Sequence, residues 1–101
     1  MLFGMVYTLR NPTEQTDRRG INLFTNWTPP QGVEFQAHYE FADGSGGMAT
    51  LQVASAEALY EATAPFRDIA EFKLVPVVEI SVAIPLVQKA QAWADSIDQG
   101  A

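Results

Sequence analysis

The stretch Val33–Val53, VEFQAHYEFADGSGGMATLQV, constrains the fold more than any other part of this chain. Val33, Phe35, Ala37, Tyr39 and Phe41 alternate with Glu34, Gln36, His38 and Glu40, the period of a strand with one face on a core. Ala49, Leu51 and Val53 alternate in the same sense with Met48, Thr50 and Gln52. Between the two arms, Asp43-Gly44-Ser45-Gly46-Gly47 tolerates positive φ, as a hairpin loop of this length requires. A glycine-rich loop cradles phosphate where a helix N-terminus follows it, but here a strand follows, so the loop reads as a turn.

The rest of the chain supplies partners for this hairpin. Residues Leu2–Arg10 form a strand with Phe3, Met5, Tyr7 and Leu9 on one face and Leu2, Gly4, Val6 and Thr8 on the other. Both faces are largely apolar, which predicts a central strand covered twice. Asn11-Pro12-Thr13-Glu14 reads as a helix start, with Asn11 as N-cap, Pro12 in the first helical position and Glu14 as the capping-box acid. Ile21, Phe24 and Trp27 recur at helical spacing, and Pro29 and Pro30 end the helix near Trp27. Arg18 and Arg19 read as a solvated face, with Glu14 one turn before Arg18, in preference to an anion-binding pair.

After the hairpin, Ser55 caps a short helix over Ala56–Thr63, and Pro65 stops it. A last strand is predicted over Glu71–Ile80, with Pro76 marking a sheet edge or bulge. Ser81 then caps a C-terminal helix on which Val82, Leu86, Ala90, Trp93 and Ile97 make an apolar stripe that must dock on something.

Strand, helix, strand, strand, helix, strand and a final helix is the order of an α+β, ferredoxin-like βαββαβ domain spanning residues 1–101, with a four-stranded antiparallel sheet plus C-terminal helix. Both sheet-covering helices lie on one face in that topology. Val6, Val75 and Val77 are then left on the open face beside Glu34, Gln36, His38 and Glu40. An exposed patch of that kind predicts a homodimer that packs the open faces together. Charged residues make up only 18% of the chain, which fits a partly hidden surface.

A net charge of −6 opposes nucleic acid and anionic membrane surfaces as partners. The chain has no cysteine, so disulfides, thiolate catalysis and cysteine metal sites are excluded. Neither a signal peptide nor a long apolar run is recognisable, and the expected location is the cytoplasm.

The segments Trp27-Thr28-Pro29-Pro30-Gln31-Gly32, His38-Tyr39-Glu40-Phe41-Ala42-Asp43-Gly44-Ser45-Gly46-Gly47, Ala64-Pro65-Phe66 and Val75-Pro76-Val77-Val78-Glu79-Ile80 resemble the uncharacterised domain-of-unknown-function family 3303. The resemblance implies a dimeric α/β barrel, in which ferredoxin-like protomers pair their sheets. It implies no activity.

His38 is the only histidine and the one side chain that ordinarily titrates near neutrality. In a dimer cavity it could act as a general base, with Glu34 or Glu40 raising its pKa. The competing reading, a hydrogen-bonded or solvated strand residue, is the commoner one. Trp27 either walls a ligand pocket or anchors the core. A metal site would need ligands beyond the single histidine, so neither metal nor other cofactor is expected.

Two functions follow. The first is a binding module that holds a small, partly apolar molecule in a cavity between sheet faces, lined by Tyr7, Trp27, Glu34, Gln36, His38 and Glu40. The alternative is a cofactor-independent oxygenase or isomerase with His38 as its catalytic base.

Overall fold

The structure, a computed structural model, describes residues 1–100. Its strands are β1 (Leu2–Leu9), β2 (Val33–Glu40), β3 (Gly46–Val53) and β4 (Ala70–Pro76). They form one antiparallel sheet in the order β2-β3-β1-β4. Helix α1 (Glu14–Thr25) joins β1 to β2, and α2 (Ala56–Thr63) joins β3 to β4 through a 3-10 turn at Ala64–Phe66. A third helix, α3 (Ile80–Gly100), follows the sheet. Order and pairing together are those of a ferredoxin-like α+β fold with an added C-terminal helix.

Local chemistry explains most boundaries. The Ser55 side chain accepts a hydrogen bond from the Ala58 N–H at 3.1 Å and so caps α2. The cap of α1 is Thr13, which accepts from the Thr16 N–H, and not Asn11 as expected. Asn11 instead adopts φ of 44°, a left-handed turn conformation that asparagine tolerates. Arg18 pairs with Glu14 one turn before it, and Arg19 reaches Asp68, 3.0 Å away. β4 is an edge strand, and its last residue, Pro76, stands opposite Phe3, an edge position where a missing N–H is tolerated. It ends sooner than expected, because α3 begins at Ile80, where Glu79 accepts from the Val82 and Ala83 N–H groups.

The core lies between the sheet and the helices. Met5, Val33, Ala49, Leu51 and Val53 of the sheet pack against Ala58, Leu59 and Ala62 of α2, with Leu51 only 1% exposed. β1 is central, as its apolar character predicts, but the described residues cover only one of its faces, and Val6 on the other is exposed.

The alternation of β2 does not run through as expected. Phe35 pairs with Leu51 and Ala37 with Thr50, leaving Gln36 as the extra residue of a β-bulge. One extra residue reverses every side chain after it. Val33 and Phe35 face the core, whereas Ala37 and Tyr39 turn to the open face. His38, opposite Ala49, and Glu40, opposite Gly47, turn to the helix-covered face.

α3 departs from the body of the domain. Trp93, expected to be packed, is 69% exposed. The molecule measures 64 × 30 × 19 Å. Among the described residues no helix is long and apolar enough to cross a membrane.

Candidate functional site

The bulge at Gln36 determines where chemistry can occur. By turning His38 toward the helices, it brings the imidazole over β3 to the phenol of Tyr7, with Tyr7 Oη 2.9 Å from His38 Nε2. Tyr7 stands on β1, with β3 between it and His38, and the residue of β3 opposite Tyr7 is Gly47. A β-carbon on Gly47 would lie 2.5 Å from Tyr7 Cζ and closer still to Oη. The absence of a side chain there is what lets the ring lie across the strand.

Aromatic rings surround this pair. Phe35 and Phe24 approach His38 with centroids at 5.2 and 5.5 Å, and Phe72 lies 6.0 Å from Tyr7. Trp27 meets Phe66 edge-to-face at 5.2 Å and Phe35 edge-to-face at 6.0 Å. Such geometries suit the ring quadrupoles. The rings wall a cavity of about 720 Å³ between the sheet, α1, α2 and the 3-10 turn. That volume is within the range of small-molecule sites, roughly 300–1,000 Å³.

α1 roofs the cavity without filling it. None of its residues is buried, and Phe24 is 49% exposed. Ile21, placed by its spacing on the packing face, is also exposed. Gly20 approaches Ile69, with room for a β-carbon at 3.4 Å from Cδ1.

The electrostatics are those of neutral groups beside an acid. Partial burial pushes the His38 pKa down, and the Glu40 carboxylate opposes that shift without reversing it. Burial and the same carboxylate push the Tyr7 phenol up. At neutral pH the pair is therefore a protonated phenol and an uncharged imidazole, an arrangement in which the Tyr7 O–H can donate to Nε2. Charged lining groups are Asp17 and Glu40, with neither lysine nor arginine.

Of the residues singled out by sequence, Tyr7, Trp27, His38 and Glu40 meet at this cavity. Glu34 does not, because it pairs with Gln52 before the bulge and faces the other side of the sheet. Gln36 is the bulge residue and is exposed. The cavity itself lies between the sheet and the helices of one chain, not between the sheet faces of two. Sequence reasoning missed Phe24, Phe35, Phe66 and Phe72 as walls. Phe24 and Trp27, three residues apart, carried the only local signal of a shared surface.

Among the described residues no three His, Cys, Asp or Glu side chains come together as a metal site would require. The chain belongs to the family described as "Domain of unknown function (DUF3303)", whose model matches residues 1–91. Among curated proteins none matches the chain.

Proposed function

We propose that this member of the DUF3303 family binds a small, neutral, largely apolar and flat molecule between its sheet and α1. The observation that carries the reading is the aromatic cavity with the Tyr7–His38 pair in its wall. Aromatic walls give a flat apolar body contact area, and a few convergent polar groups orient it, the usual division of labour in ligand sites. A hydroxyl or carbonyl on the ligand would face Tyr7 and His38. With Asp17 and Glu40 as the only charged lining groups, anionic ligands are disfavoured.

The test uses 2-naphthol and naphthalene as probes, followed by quenching of Trp27 emission in the full chain with Trp93 replaced by phenylalanine. One added hydrogen bond is worth about 0.5–1.5 kcal/mol, so naphthol should bind up to about tenfold more tightly than naphthalene. Tyr7→Phe combined with His38→Ala should erase that preference and leave naphthalene binding in place. Equal affinity of the unmodified site for both probes would refute the reading.

One observation favours a second reading. In the tautomer whose Nε2–H donates to Tyr7 Oη, the partly buried, uncharged imidazole leaves Nδ1 free to take a proton from a bound substrate, as in a cofactor-independent oxygenase or isomerase. His38→Gln separates the two: binding should persist in both cases, and loss of turnover with retained binding would identify a catalytic base.

A further inference from the structure

The surface of the chain is too large for a self-contained domain. It exposes 7427 Å² at a mass of 11.1 kDa. A compact monomer of this mass exposes roughly 5,700 Å², leaving an excess of about 1,700 Å². The radius of gyration is 18.7 Å, against about 13 Å for a compact domain of this length. The excess is about twice what one partner contributes to a standard protein interface, roughly 800 Å².

Two exposed apolar surfaces stand out. On α3, Ile80, Val82, Ile84, Leu86 and Val87 are each at least half exposed. At about 100° per residue these positions spread over roughly 200° of the helix, and an apolar face that wide is normally covered. The second surface is the open sheet face, where Val6 pairs with Met48 and Met48 with Tyr39, an exposed row crossing β1, β3 and β2.

The connection between them runs on the same side of the sheet. The Val77 N–H donates to the Leu2 carbonyl, extending the β4 edge, and Val77 Cγ1 lies 3.2 Å from where a β-carbon on Gly4 would stand. Gly4 shares its face with Val6, so the chain leaves toward α3 from the open side.

We infer that α3 is an arm that closes over the open sheet face of a second copy of this chain, each copy covering the other. A membrane surface is a poorer occupant. Helices that lie on membranes carry a basic polar face, whereas α3 has one lysine, Lys89, with Asp95 and Asp98, on a chain of net charge −6. Reciprocal exchange satisfies both surfaces with the one partner that always carries both.

The experiment combines light scattering with amide hydrogen exchange on the full chain at micromolar concentration. Twice the chain mass is expected, with amides of residues 82–97 protected, and both signals should fall together on dilution. Ile84→Asp with Leu86→Asp, and separately Met48→Asp, should each weaken the dimer at least tenfold while the circular dichroism of the sheet persists. A monomer, or a dimer whose α3 amides exchange at the rate of an exposed helix, would overturn the proposal without needing any variant to fold. So would a dimer unaffected by the substitutions, or a monomer whose α3 is protected only by phosphatidylcholine–phosphatidylglycerol vesicles.

Discussion

Replacing Gly47 with alanine tests the construction of the site at its tightest point. The new β-carbon would fall 2.5 Å from Tyr7 Cζ and 2.5 Å from the Tyr39 carbonyl oxygen. The first conflict can be relieved by swinging the phenol away, at the expense of its hydrogen bond to His38. The second cannot, because the Tyr39 oxygen belongs to the backbone of β2, and relief requires the two strands to move apart. Overpacking of this kind costs about 1–3 kcal/mol, and the lost hydrogen bond about 0.5–1.5 kcal/mol. Together these predict a loss of about 2–4 kcal/mol, which in a domain of this size lowers the thermal midpoint by roughly 10–30 °C.

Calorimetry reads the total, and a double-mutant cycle with Tyr7→Ala reads its origin. With the ring gone, Gly47→Ala meets only the Tyr39 carbonyl, so the double variant should lose less stability than the two single variants summed. Strict additivity, or a Gly47→Ala midpoint equal to that of the unmodified chain, would show that the phenol does not lie across β3.

The remaining predictions concern His38 and α1. Because burial depresses the folded pKa of His38, the unfolded chain binds the proton more readily below pH 6.5; this group's contribution to stability is complete above that value and is lost as pH falls through the folded pKa. Nuclear magnetic resonance should therefore give His38 a midpoint below 6.5, and Glu40→Gln should lower it further by removing the opposing carboxylate; a midpoint above 6.5 would contradict the site's electrostatics. Gly20→Ala places a β-carbon in ordinary contact with Ile69 inside a helix and should stabilise the fold by about 0.5–1 kcal/mol. Gly44→Ala has open space, but its φ of 76° should make it destabilising by about 1–2 kcal/mol, so denaturant midpoints should move in opposite directions.

The order of elements was legible because each carried its own local signal: Ser55 before α2, Pro76 at the sheet edge, strict alternation over Val33–Phe41 and a weaker one over Ala49–Val53. The direction of His38 was not. By hydrophobicity alone Tyr39 belongs inside and His38 outside, and a bulge leaves no mark when the inserted residue is an ordinary glutamine such as Gln36. What holds His38 inward is contact with Tyr7, thirty-one residues earlier, and no pattern confined to β2 contains that information. The walls contributed by Phe66 and Phe72 were hidden for the same reason, since they come from separate elements after the hairpin. The stripe on α3 was visible, but a stripe does not name the surface that covers it.

The site also shows why an open space survives in so apolar a chain. Protein interiors usually close to crystal-like density, and voids are destabilising. Here the middle strand offers only Gly47 and Ala49 between Tyr7 and His38, and α1 above them buries none of its residues. A larger residue at either β3 position would fill the space but would separate the phenol from the imidazole. The bulge at Gln36, the missing side chain at Gly47 and the unburied α1 therefore act on one region: the first turns His38 inward, the second lets Tyr7 reach it, and the third leaves room above both. If the cavity were incidental, these three features would have no reason to coincide. If it holds a ligand, each supplies something the others cannot.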